Sequence, residues 1–184
     1  NGTEKPANQL FSKNVPFADI QLPQRDFDMN KAKQLLDEGG WKTTGKEGLR
    51  EKDGKPLTMS IYFDNHSNSQ KQEAELLQAK AQELGMKLKL VGESSDKVAE
   101  RRTAGNYDLL FNQTWGLQYD PQSTISAFKT ETGYKAATAG IKNKTELYNN
   151  IDRALITVDK TERQKIYQDI LTTVHDEAVF IPIS

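Results

Sequence analysis

Cysteine is absent from the 184 residues. Disulfides, thiol catalysis and Cys-based zinc sites are therefore excluded, and the composition is compatible with an oxidising, extracytoplasmic setting. Histidine is scarce, represented only by His66 and His175. An excess of one charge is missing as well: 25 basic residues stand against 26 acidic ones, a net charge of −1, which leaves no basic field for nucleic acid. No apolar run approaches the ~20 residues needed to cross a bilayer, and mean hydropathy is −0.75. The glycines are scattered, with no GxxxxGK[ST] phosphate loop among them. The chain starts at Asn1 without a visible signal peptide and stops at Phe180-Ile-Pro-Ile-Ser184, which reads as a strand. The expectation is an excised piece of a longer, processed protein.

What is present reads as alternating helices and strands. Residues 1–24 mix Pro6, Pro16 and Pro23 with polar residues, the pattern of an extended, irregular lead-in. A helix is predicted from Asp28 to the Gly39-Gly40 pair, with Asp28 or Asn30 as its cap and Ala32, Leu35 and Leu36 on one face. Trp41 is expected to pack on that helix, and residues 42–56 to turn back around Asp53-Gly54. Residues 57–63 and 86–91 alternate as strands, and 70–84 between them has helical spacing, so the three suggest a parallel βαβ unit. A helix over 96–105 leads to a strand at 107–112. Beyond Pro121 the pattern is helical over 121–129, 145–157 and 159–175, with a loop at 130–144 and a closing strand at 178–182. Asp159 and Glu162 have the spacing of a helix start. The whole is predicted to be one α/β domain, a mixed sheet flanked by helices.

The stretch from Tyr107 to Pro121 carries the strongest functional signal. An apolar strand (Leu109, Leu110, Phe111) runs into a loop with Trp115 and Tyr119 among Asn112, Gln113, Thr114 and Gln118. Strand-end loops are where α/β proteins bind ligands. An indole or phenol over a cation or planar ligand gains about 0.5–2 kcal/mol, whereas the same aromatics used as core would only pin the loop to the sheet. Catalytic groups are not gathered there. Neither histidine lies in a nucleophile-elbow or metalloprotease spacing. His66, in a polar loop after a strand, is open to reading as a ligand contact or as a solvated side chain. His175-Asp-Glu177 at a helix end fits the dipole as a structural element, and Arg101-Arg102 read as an exposed helical pair. A binding protein, rather than an enzyme, is the expectation.

Several pieces taken in order resemble one family. They are Phe27-Asp28, Ala32-Lys33 and Leu35-Leu36 through Gly40-Trp41, then Gly54-Lys-Pro-Leu57, Leu76-Leu-Gln78 and Leu84-Gly-Met86. Tyr107-Asp108, Trp115, Asp120-Pro121 and the tail residues Asp159, Arg163, Tyr167, Ile170 and Ile181-Pro182 continue the likeness. Together these resemble the second, C-terminal lobe of the family 5 solute-binding proteins, extracytoplasmic receptors of ABC importers for oligopeptides, dipeptides and nickel. Asn112-Gln-Thr-Trp115-Gly, Tyr119-Asp-Pro121, Ala137-Thr-Ala-Gly140-Ile and His175-Asp-Glu177 are most similar to the nickel-binding subgroup.

The resemblance implies a type II periplasmic-binding-protein-like fold, with residues 1–184 forming a single lobe. It implies a cleft shared with a first lobe outside this sequence, and Trp115 and Tyr119 gripping a nickel–metallophore chelate there. Asn112, Thr114 and Gln118 would line the same wall. Partners would be that lobe and an ABC permease, and the location would be periplasmic or, through a lipid anchor, the cell surface. Counting the interval at which described nickel receptors place a metal-ligating histidine lands on Gly133, beside Tyr134. The direct metal ligand is therefore left unassigned: either the chelator fills every position or the missing lobe supplies a histidine. No resident cofactor is implied, Ni(II) being cargo. A peptide cargo is the alternative within the same family.

Overall fold

The computed structural model describes residues 6–43, 48–112 and 121–183. The chain divides into two compact units, Asp26–Asn112 and Asn1–Arg25 together with Gln113–Ser184.

The Asp26–Asn112 unit opens with α1 (Met29–Glu38). Asp28 caps it, its carboxylate accepting from the amides of Asn30 and Lys31 at 2.9 Å each, which satisfies two of the orphan donors at a helix start. A small antiparallel sheet follows in the order β1 (Lys42–Thr43), β2 (Arg50–Lys52), β3 (Lys55–Pro56). Its turn is Asp53-Gly54, both at positive φ (53° and 72°), the backbone that tight hairpins require. The expected turn-back over 42–56 is thus observed.

The second sheet is wholly parallel, in the order β5-β4-β6. β4 (Thr58–Asp64) and β5 (Lys87–Glu93) pair along their full length from Thr58↔Lys87 to Asp64↔Glu93, with α2 (Asn68–Glu83) as the crossover. β6 (Leu109–Leu110) pairs with the other side of β4 and is reached through α3 (Ser95–Ala104). Alternation explains the packing. Ile61 and Phe63 of β4 and Leu88 of β5 are buried together with Ala74 and Ala81 of α2, and small residues on the helix allow a close approach to the sheet. Asp108 pins the edge strand by accepting from the Ser60 amide at 2.8 Å. Parallel and antiparallel strands are thus separated into two sheets instead of being mixed within one.

The other unit is built from helices and the lead-in. Its helices are α4 (Gln122–Thr130), α5 (Thr132–Ala137), α6 (Lys144–Ile156) and α7 (Lys160–Asp176). The 3.6-residue period places Leu147, Ile151 and Ala154 of α6 against Ile166, Ile170 and Val174 of α7. Asp159 caps α7 by accepting from the Glu162 amide at 2.8 Å. Phe11, Ala18 and Ile20 are buried in this core, so the lead-in is irregular yet integral.

Two expectations fail here. Residues 130–144, expected as a loop, contain α5. The closing strand expected at 178–182 does not form: Ala178 stands at positive φ (51°), and the segment has no partner strand among the described residues. Pro182 lacks an amide donor for a ladder, and Val179 and Phe180 pack on the helical core instead.

Candidate functional site

With strand order β5-β4-β6, the chain leaves β4 toward one neighbour and returns on the opposite side. If both crossovers have the usual hand, α2 and α3 cover opposite faces, and the switch lies at the carboxyl ends of β4 and β6. Phe111 donates its amide to the Tyr62 carbonyl at 3.3 Å, which carries Asn112 to this edge, where the loop singled out in the sequence begins. Of the candidate ligand contacts, Asn112 is described; Thr114, Trp115, Gln118 and Tyr119 lie outside the described residues.

The last turn of α3 closes over this edge. Arg101 donates to Glu93 at the end of β5 through Nε at 2.5 Å and Nη2 at 2.8 Å, and its guanidinium lies 4.2 Å from the centre of the Tyr62 ring in β4. Arg102, the next residue, donates from Nη1 to Asn112 Oδ1 at 2.8 Å. Neighbouring helical side chains diverge by about 100°, so two consecutive arginines reach both outer strands while one of them stacks on the central strand. The hydrogen bond from Arg101 holds the Glu93 carboxyl below its ordinary range, against burial, which pushes it up. Glu93 in turn raises the arginine further. Lys97, one turn earlier, is raised by its hydrogen bond to Glu100.

Beside them, at the end of β4, His66 follows Asp64. Its Nδ1 donates to Asp64 Oδ1 at 3.3 Å, the same oxygen that accepts the His66 amide at 2.9 Å. The imidazole is otherwise in solvent, with 82% of the side chain exposed. Ser67 then caps α2, accepting from the Gln70 amide at 3.4 Å. The edge therefore gathers an amide, a histidine and a paired set of charges.

Gly133 and His175 belong to the other unit. Gly133 is buried within α5, and having no side chain it offers no metal donor. His175 borders a small cavity of about 20 Å³ among Phe11, Ile20, Leu171 and Phe180, room for about one water and far short of an organic ligand. Among the described residues, no three His, Asp or Glu side chains gather as a metal site. Arg101 and Arg102, read from sequence as an exposed pair, are half-buried and tied to strand ends. Their partners lie 8 and 10 residues away, outside any helical periodicity, and the only signal was their position just before an apolar strand.

The sequence profile of the bacterial extracellular solute-binding proteins, family 5 Middle, matches residues 1–136. The nickel-binding periplasmic protein of Escherichia coli is 36% identical over 184 residues, all of this chain and 35% of that protein. The oligopeptide-binding protein AppA of Bacillus subtilis is 29% identical over 98 residues, 53% of this chain and 18% of that protein. Among solved structures, NikA from Brucella suis in complex with Fe(III)-EDTA superposes with a TM-score of 0.87 at 39% identity, covering 99% of this chain and 37% of that one. The chain thus spans about a third of the length of its full-coverage relatives.

Proposed function

The chain belongs to the family 5 bacterial extracellular solute-binding proteins, and we propose that it is the C-terminal lobe of an ABC-importer receptor whose cargo is nickel carried as a small-molecule chelate. The observation that carries the cargo assignment is the extent of the likeness. Similarity to the nickel-binding protein runs through all 184 residues, whereas the match to the oligopeptide-binding protein covers 53% of the chain.

In this reading the carboxyl edge of the parallel sheet is one wall of the binding cleft. Asn112 begins the contact surface and Thr114, Trp115, Gln118 and Tyr119 continue it. Trp115 and Tyr119 hold the organic envelope of the chelate by stacking and van der Waals contact. Gly133 supplies no donor atom, so the metal's coordination is completed by the chelator or by the first lobe. The protein performs no chemistry on its cargo. It works outside the cytoplasm, free in a periplasm or held by a lipid anchor, and hands the chelate to a membrane permease.

The test is tryptophan fluorescence on the complete receptor, comparing the natural sequence with Trp115→Phe. Nickel added with L-histidine quenches or shifts the Trp115 emission, and the difference disappears in the variant. A response to short peptides but not to the nickel chelate would transfer the assignment to peptide import.

A further inference from the structure

Asp53 is the only aspartate in the chain that glycine follows, and the fold places the pair at the tip of the β2–β3 hairpin. Lys52 is paired with Lys55, so Asp53-Gly54 is a two-residue turn, and positive φ at both positions is what such a turn requires. Both residues are exposed. The Gly54 amide has no hydrogen-bond acceptor among the described residues, and nothing lies within 4 Å of where its Cβ would stand. The arms behind the tip are thinly joined. Pro56, opposite Glu51, has no amide to donate, and the bond that follows runs from the Leu57 amide to the Arg50 carbonyl at 2.8 Å. A surface tip with so few backbone bonds opens locally at low cost.

We infer that Asp53 is a site of self-modification, where the side chain closes on the Gly54 amide and the peptide link migrates from the α-carbonyl to the side-chain carboxyl. Water is the only co-reactant. The Gly54 nitrogen attacks Cγ of the protonated carboxyl, the N–Cγ bond forms and a Cγ–O bond breaks, and the carboxyl hydroxyl leaves with the amide proton as water. The product is a five-membered succinimide. Water then adds to either carbonyl of the ring: attack at Cγ restores aspartate, and attack at the α-carbonyl leaves an isoaspartyl link. Closure needs a rotation about the Cα–C bond of Asp53 that brings the nitrogen onto Cγ, which the thin ladder permits. It also needs an unhindered following residue, which Gly54 supplies. The isoaspartyl backbone is one methylene longer, so the turn no longer registers Lys52 with Lys55. The change stops short of Arg50, whose guanidinium is held by Leu84, Trp41 and Asp37 and not by the hairpin tip. The reaction is independent of cargo.

Ageing the complete receptor at neutral pH in water enriched in heavy oxygen, followed by peptide mass spectrometry, tests the site. The peptide containing Asp53 is expected to separate into two isomers, the new one carrying heavy oxygen, with backbone fragmentation locating the extra methylene at residue 53. Asp53→Asn keeps the turn, since Asn-Gly suits it equally well, and reaches the same ring faster because ammonia leaves in place of water. Asp53→Glu, whose ring would be six-membered, and Gly54→Ala, which crowds the nitrogen, each reduce conversion to that of the chain's other aspartates. A single unlabelled Asp53 peptide from the folded receptor, when the same receptor held unfolded in denaturant does convert, would show that the folded turn protects the pair and would overturn the inference. Conversion undiminished in Asp53→Glu would overturn it as well, by moving the chemistry away from this side chain.

Discussion

Glu93 at the end of β5 and Arg101 in the last turn of α3 meet in a two-point contact, with Nε 2.5 Å from Oε2 and Nη2 2.8 Å from Oε1. Bidentate geometry of this kind is the strongest form of carboxylate pairing available to a protein. Together with the stacking of Arg101 on Tyr62, it ties the last turn of α3 to β5 and β4.

The pair predicts a pH dependence. The arginine holds the Glu93 carboxyl below the ordinary value of 4.5, so the folded state favours the carboxylate. The resulting stability is complete above the unfolded value and is lost as pH falls through the folded one. Glu93→Gln is expected to unfold at a lower temperature than the natural protein near neutral pH, and the gap to close as acid protonates the carboxyl. A gap that widens in acid would reverse the assigned sign.

A second prediction concerns Arg50, whose side chain is 7% exposed. It donates to the carbonyls of Leu84 at 2.8 Å and Trp41 at 2.6 Å and pairs with Asp37, tying α1, β2 and the end of α2 together. Arg50→Ala orphans two carbonyls and leaves a void, an expected loss of about 2–4 kcal/mol in chemical denaturation. Asp37→Ala is expected to cost less than Arg50→Ala, since Asp37 is 63% exposed and neither carbonyl loses its donor.

Gly85 gives a third. Its φ is +75°, and a Cβ there would stand 2.9 Å from the Gly48 carbonyl oxygen and 3.1 Å from Arg50 Cγ. Gly85→Ala is expected to lose about 1–3 kcal/mol from strain and the backbone contact, read as a lowered denaturation midpoint. Gly54→Ala also sits at positive φ (+72°) but meets nothing within 4 Å, so it is the milder control.

In the helical unit, Tyr167 is fully buried and its ring stacks on Phe17 at 5.4 Å between centroids. Tyr167→Ala is expected to cost about 3–5 kcal/mol, whereas Phe17→Leu keeps most of the apolar volume and is tolerated better. Equal losses would mean that the stacking, rather than the buried volume, holds the lead-in to α7.

Where a signal is local, the sequence carried it. The alternation through Ile61 and Phe63 announces β4, the Asp53-Gly54 pair the turn between β2 and β3, and Asp159 with Glu162 the start of α7, because each is set by residues within a few positions. α5 escaped because six residues, Thr132-Gly-Tyr-Lys-Ala-Ala137, are too short for a helical period. The tail after Glu177 looked like a strand because Val179, Phe180 and Ile181 are β-formers, yet a strand needs a neighbour and composition does not specify one. Arg101 and Arg102 read as an exposed pair because their partners lie outside the helix. At the strand ends, the contacts of Arg101 with Glu93 and Tyr62 and of Arg102 with Asn112 emerged only when β5, β4 and β6 were brought side by side.

The central claim is that this lobe contributes to holding a nickel chelate, and calorimetry of the complete receptor tests it most directly. Titration with nickel alone, nickel plus L-histidine, and a mixture of short peptides should give tight one-to-one binding only for the chelate, weakened when Trp115 and Tyr119 are both replaced by alanine. Tight binding of peptides with no response to the chelate would contradict the account.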